Sequence, residues 1–230
     1  VSVARYNRGF LRRSARLLAE SGIRQFLDLG SGIPTAGNVH EVVHRVDPSC
    51  RVVYVDNEWI AAAHSKLLLE SQGNVAFEHE DLRDVSRVLK TSAVSELLDL
   101  SQPVAVLMYA VLHFIPDSDH PADIVAAYRD ATAPGSYLAI SHGTIDHDPE
   151  RLADVAQLYQ RSTTPLYVRT HTEVRELFAG YELLDPGVVY TPQWRPEAPD
   201  DVPENPELAT FYAAVGRVNS SHSRAVISQA

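Results

Sequence analysis

The chain has 230 residues, 45% of them hydrophobic and 22% charged, with a formal net charge of −10. That length suits a single sizeable core, and the negative charge argues against a nucleic-acid partner. No run approaches the roughly 18 apolar residues of a membrane span, the arginine-rich N-terminal residues lack the apolar segment of a secretion signal, and one cysteine, Cys50, excludes an internal disulfide and points to a reducing cytoplasm.

From Asn7 to Glu20, Phe10, Leu11, Leu17 and Leu18 predict an amphipathic helix; Arg5, Arg8, Arg12, Arg13 and Arg16 read as its solvated face. Ser21-Gly22 ends it. Phe26, Leu27 and Leu29 form a short apolar run, as expected of a strand covered on both faces. Gly30 and Gly32 follow at once and permit a tight turn with bare backbone open to a ligand. Val39, Val42, Val43 and Val46 then stripe a helix, and Asp47-Pro48 stops it. Strand, glycine turn and helix start make a nucleotide-type pocket.

Arg51 to Val55 reads as the second strand and ends in Asp56, one strand–helix–strand unit after Gly30. An acid there can accept hydrogen bonds from both ribose hydroxyls, with Asn57 as a neighbouring contact. Trp59, Ala62, Ala63 and Leu67 carry the next helix, closed near Gly73. Val75 to Phe77 is a short third strand leading into Glu80-Asp81-Leu82-Arg83, and Val85 to Leu100 holds one or two helical pieces. Pro103 opens the fourth strand. Tyr109, Ala110 and His113 lie at or past its carboxyl end, where open α/β sheets bind ligands. Pro121 opens a helix through Ile124, Val125 and Tyr128. Ser136 to Ser141 is the fifth strand, followed by His142. Asp148 caps a helix through Leu152, Val155 and Tyr159, residues 164–170 form a loop, and Thr170 to Glu173 is a capping box. Two late apolar strands remain, Tyr181–Tyr190 and Leu208–Val218, and residues 219–230 read as a polar tail.

Two details separate the possible cofactors. The dinucleotide pattern Gly-x-Gly-x-x-Gly meets Thr35 at its third glycine. Asp28, two residues before Gly30, would repel a pyrophosphate and suits a cationic ligand. S-adenosylmethionine carries an ammonium and a sulfonium and no phosphate. The acidic-x-Gly-x-Gly string at 28–32 resembles the first motif of class I S-adenosylmethionine-dependent methyltransferases. The longer run from Leu27 to Glu41 resembles one actinobacterial family of them, over nearly the whole chain.

The resemblance implies a Rossmann-like α/β fold: a seven-stranded, mostly parallel sheet with helices on both faces and a C-terminal antiparallel hairpin, in one domain over residues 1–218. It implies S-adenosyl-L-methionine as cofactor and a small-molecule acceptor. Asp28, Gly30 and Gly32 would hold the methionine end and Asp56 the ribose. Asp81 would take the adenine amine and the Leu82 N–H a ring nitrogen; a helix N-cap is the plainer reading of Asp81. Such enzymes carry further N-terminal residues over the cofactor, ahead of the first helix here.

Other readings compete. His40-Glu41-Val42-Val43-His44 matches the zinc-protease string, yet the valines define the core face and no third ligand follows at a recognisable spacing. His113, and less so His142, are candidate general bases. A sulfonium is already activated, however, and alignment alone can supply about 7–11 kcal/mol. Trp194 and Tyr167 are candidate pocket aromatics or plain packing. A nicotinamide oxidoreductase on a similar sheet and a non-catalytic ligand-binding protein are the remaining alternatives.

Overall fold

The computed structural model describes residues 3–32, 37–59, 73–147 and 165–219. Among these, eight strands form one sheet: β1 (Gln25–Leu29), β2 (Arg51–Asp56), β3 (Val75–His79), β4 (Ala105–Tyr109), β5 (Tyr137–Gly143), β6 (Tyr181–Leu183), β7 (Val189–Tyr190) and β8 (Phe211–Val218). The order is β3-β2-β1-β4-β5-β8-β6, with β7 also paired to β8. The first five run parallel, and β8 is antiparallel to β5, β6 and β7.

Side chains alternate across the strands, so both faces need cover. Phe26, Val52, Leu107 and Ala139 pack under α1 (Val3–Glu20) and α2 (Val39–Val46). Leu27, Val53, Val106 and Leu138 pack on the other face, under α3 (Val85–Val88), α4 (Ser92–Leu97), α5 (Pro121–Ala131) and α6 (His171–Glu176). Each such Val, Leu or Phe side chain, once fully buried, contributes about 1.5–3 kcal/mol. The capping box starts α6 as expected: the Glu173 N–H donates to Thr170 Oγ1, and the Thr170 N–H donates to Glu173 Oε2 at 2.7 Å.

The fold class holds, with an eighth strand. The single strand expected over Tyr181–Tyr190 is split into β6 and β7, both on the same edge of β8. Pro186 has no N–H for the ladder, and Gly187, at φ +83°, turns the chain there. The last strand starts at Phe211 rather than Leu208, because Pro206–Ala209 coil into a 3₁₀ turn that ends on left-handed Thr210.

The arginines of α1 are also not one solvated face. Arg8 and Arg13 are half-buried, whereas Arg5, Arg12 and Arg16 are exposed. Arg13 donates to the carbonyls of Trp194 at 2.9 Å and Thr191 at 2.7 Å. Trp194 is fully buried against Phe10, with ring centroids 5.2 Å apart. The packing reading of that tryptophan holds. The helices expected after Trp59 and after Asp148, together with residues 220–230, lie outside the described residues.

Candidate active site

β1 lies between β2 and β4, where the winding of the sheet reverses, and an open α/β sheet has its ligand crevice beyond the carboxyl ends of such strands. Here that crevice gathers Asp28 and Gly30 from the end of β1, Asp56 and Asn57 from β2, Asp81 from the segment after β3, and Tyr109 and Ala110 from β4.

Gly30 has φ +71°, and its N–H donates to the Val55 carbonyl at 2.8 Å. A Cβ on it would lie 2.1 Å from the Val111 side chain. Gly32 has φ +64°, but a Cβ there would meet nothing within 4 Å among the described residues. The first glycine is thus required by packing, and the second leaves space. Between them Ser31 has a buried hydroxyl with no hydrogen-bond partner among the described residues.

The Asp56 carboxylate holds this turn. Its Oδ2 accepts from the Gly32 N–H at 2.7 Å, and its Oδ1 accepts from the Glu58 N–H at 2.8 Å. Each oxygen keeps a further lone pair for another donor. Asp28 is buried, and burial raises its pKa to about 7. Nearby Arg8 opposes that rise, and Asp56 adds to it. A cationic group brought beside Asp28 would favour its charged form.

Asn57 and Asp81 come together, the Asn57 side chain donating to the Asp81 carboxylate. Asp81 is held below the usual carboxylate range, chiefly by hydrogen bonds from the Arg83 side chain, the shortest at 2.6 Å. The expected N-cap is not Asp81 but Asp84, whose side chain accepts from the Arg87 N–H at the start of α3. The Leu82 side chain packs into the core, and its carbonyl accepts from the Tyr128 hydroxyl at 2.9 Å.

Ala110 sits at φ +54°, a conformation that alanine adopts only under constraint. Its N–H donates to Ser141, whose hydroxyl reaches Asn7 Oδ1 at 2.5 Å. Tyr109 meets Ser14 at 2.8 Å. These α1 partners, Asn7 and Ser14, went unnoticed in the sequence. They are small polar residues on a helix face, and only the docking of α1 over the strand ends gives them a role.

His113 is buried in a 3₁₀ turn after β4, and its Nδ1 accepts from the Gly143 N–H at 3.4 Å. Phe114, Phe211 and His142 pack on it with centroids 4.3, 5.3 and 5.7 Å away. Burial pushes its pKa down to about 3, so the ring is neutral. His142 donates from Nδ1 to the Gly143 carbonyl and accepts at Nε2 from Arg169, each at 2.8 Å. Arg169, also missed, is buried and ties the turn after β4 through the carbonyls of Leu112 and Ile115. A lone arginine in a loop gives no sequence signal. The Tyr167 N–H donates to the His113 carbonyl at 2.7 Å.

The zinc-like string does not assemble a metal site. His40 Nδ1 accepts from the Tyr54 hydroxyl at 2.8 Å, and His44 Nε2 donates to the Cys50 carbonyl at 2.9 Å. Among the described residues no three His, Cys, Asp or Glu side chains are grouped to hold an ion.

Residues 1–219 match a family model described as S-adenosyl methyltransferase. The chain belongs to that family. Comparison with curated proteins finds no match. Among solved structures, the methyltransferase is similar to a candidate methyltransferase from Thermobifida fusca: 38% identity, TM-score 0.89, 95% of this chain and 82% of that one. It is also similar to a DUF574 family protein from Streptomyces avermitilis, with 40% identity, TM-score 0.88, and 93% and 83% of the two chains covered. At 14% identity and TM-score 0.51, the N-methyltransferase NodS from Bradyrhizobium japonicum, in complex with S-adenosylhomocysteine, shares the fold over 90% of this chain and 85% of its own. The cofactor of the family is S-adenosyl-L-methionine, and the site fits it. The Ser31 hydroxyl, the space over Gly32, both without a neighbour among the described residues, and the buried Asp28 suit a ligand that is cationic at one end and polar throughout. No helix among the described residues is long and apolar enough to cross a membrane.

Proposed function

We propose that the methyltransferase binds S-adenosylmethionine across the residue 28–32 turn and methylates a small molecule over the carboxyl ends of β4 and β5. The observation that carries this reading is a buried carboxylate, Asp28, beneath a glycine turn with room above it. Asp28 faces the ammonium of the methionine end, with Gly30 and Gly32 giving backbone access. Asp56 receives the ribose hydroxyls, while Asp81 and the Leu82 N–H receive the adenine edge. Tyr109 and Ala110 floor the site. When bound, the cofactor supplies a methyl group already activated on sulfur.

His113 serves as a wall rather than a base. Its Nδ1 is taken by the Gly143 N–H, and its ring is packed by aromatics. The net charge of −10 supports an acceptor that is not nucleic acid. The single cysteine supports a cytoplasmic setting. Cores on both faces of one continuous sheet support a single domain over residues 1–218.

The test is calorimetry with S-adenosylhomocysteine on the wild type and on Asp56→Ala. Charge-assisted hydrogen bonds contribute about 1.5–3 kcal/mol each, so the substitution is expected to weaken binding at least about tenfold. Unchanged affinity would remove Asp56 from the ribose.

A further inference from the structure

Side chains alternate along a strand, so Ser141 and Gly143 share one face at the carboxyl end of β5. Asn7 reaches Ser141 on that face from α1. A Cβ on Gly143 would touch the His113 ring at 3.7 Å, so the ring lies against the same face. Phe211, partly exposed and paired with Gly143 across the sheet, packs on that ring edge to face. Phe114 packs on it at 4.3 Å and is 44% exposed. A single exposed apolar side chain is ordinary on a protein surface; this one stands just past the carboxyl end of β4.

The hydrogen bonds fix which way Asn7 points. The Ala110 N–H donates to Ser141 Oγ, so the one hydroxyl proton goes to Asn7 Oδ1. The amide therefore turns its two N–H donors away from the strand. The charged groups that join the turn after β4 to the end of β5 are spent. Arg169 is bound to the Leu112 and Ile115 carbonyls, His142 and Asp117, and Asp146 accepts from the Tyr212 hydroxyl and the His171 N–H. The face is left with an amide donor at one end and aromatic surface at the other.

We propose that this face takes a neutral aromatic hydroxyl compound as the methyl acceptor, its ring on Phe114 and Phe211 and its oxygen on the Asn7 N–H. The inference rests on the cofactor reading given above. A hydroxyl oxygen has two lone pairs, one for the Asn7 N–H and one for attack, whereas an amine nitrogen has one. The oxygen bonds to the methyl carbon as the carbon–sulfur bond breaks, the electron pair stays on sulfur, and the hydroxyl proton passes to water. The Asn7 N–H favours the oxygen as it loses that proton.

The test uses the full chain saturated with S-adenosylhomocysteine, with 2-naphthol and naphthalene as fluorescent probes, together with labelled methyl transfer from S-adenosylmethionine to 2-naphthol. The wild type should bind 2-naphthol more tightly than naphthalene and convert it to the methyl ether. Asn7→Ala should weaken 2-naphthol about tenfold and naphthalene by less than about threefold. Phe114→Ala should weaken both about tenfold, and Phe114→Tyr should restore them. An equal effect of Asn7→Ala on both probes would make Asn7 structural and overturn the inference. So would wild-type affinity in Phe114→Ala, or failure of 2-naphthol to bind or be methylated while calorimetry shows S-adenosylhomocysteine bound. Absence of any S-adenosylhomocysteine binding to the wild type would overturn the cofactor reading as well.

Discussion

Asp28 is the residue where stability and function pull apart. Its carboxyl is pushed up to about 7 from an ordinary 3.8, first by burial. The folded protein therefore holds that proton more tightly than the unfolded chain does. The stabilisation is complete below about pH 4 and is lost as pH rises through about 7, a difference of about 4 kcal/mol when fully expressed. Thermal unfolding of the ligand-free protein should show the wild type losing melting temperature from pH 6 to 8, and Asp28→Asn losing much less. The same variant should bind S-adenosylhomocysteine at least about tenfold more weakly, since the neutral amide no longer pairs with the ammonium. Parallel pH profiles of the two proteins would contradict the burial argument. Asp28, Asp56 and the glycines were legible in the sequence because the turn is local, with spacing and residue type carrying the geometry. Arg169, Asn7 and Ser14 were not, because their partners lie far along the chain and no periodicity marks them.

Among the elements, the glycine turn separates packing from binding at two adjacent glycines. Gly30→Ala drives a Cβ into Val111 from a left-handed backbone, and should lower stability by more than the about 1–3 kcal/mol of strain alone. Gly32→Ala shares the left-handed strain but meets no neighbour among the described residues; it should lose less stability than Gly30→Ala and lose affinity for S-adenosylhomocysteine by filling the cradle. Denaturant unfolding paired with calorimetry distinguishes the two, and equal behaviour would count against the cradle. The first helix is a second case. Phe10 packs on Tyr109 and Trp194, so Phe10→Ala should cost about 3–5 kcal/mol by denaturant unfolding. The apolar stripe of α1 was readable. That Arg13 points inward was not, because an arginine on a helix looks solvated until a carbonyl such as that of Trp194 is brought over it. The split of the edge strand into β6 and β7 was signalled by Pro186-Gly187, which interrupts the apolar run.

At the scale of the molecule, winding order makes the site. β1 stands between β2 and β4, so acids distant in sequence converge on one crevice while both faces of the sheet are spent on core. The succession of strands and helices followed from apolar runs and helical stripes, and the sheet from the family resemblance; the acceptor did not, because no motif in the chain marks it. Binding to the folded state alone should raise stability by about 2.7 kcal/mol at a hundredfold excess over Kd, or about 5–10 °C in melting temperature for a chain of this size. S-adenosylhomocysteine should produce this shift, and NADH should not. The most direct measurement is a crystal structure of the protein with S-adenosylhomocysteine bound. The predicted result is sulfur over the 28–32 turn, the amino group on Asp28 and both ribose hydroxyls on Asp56; density for the ligand anywhere else, with that turn left closed, would contradict the account.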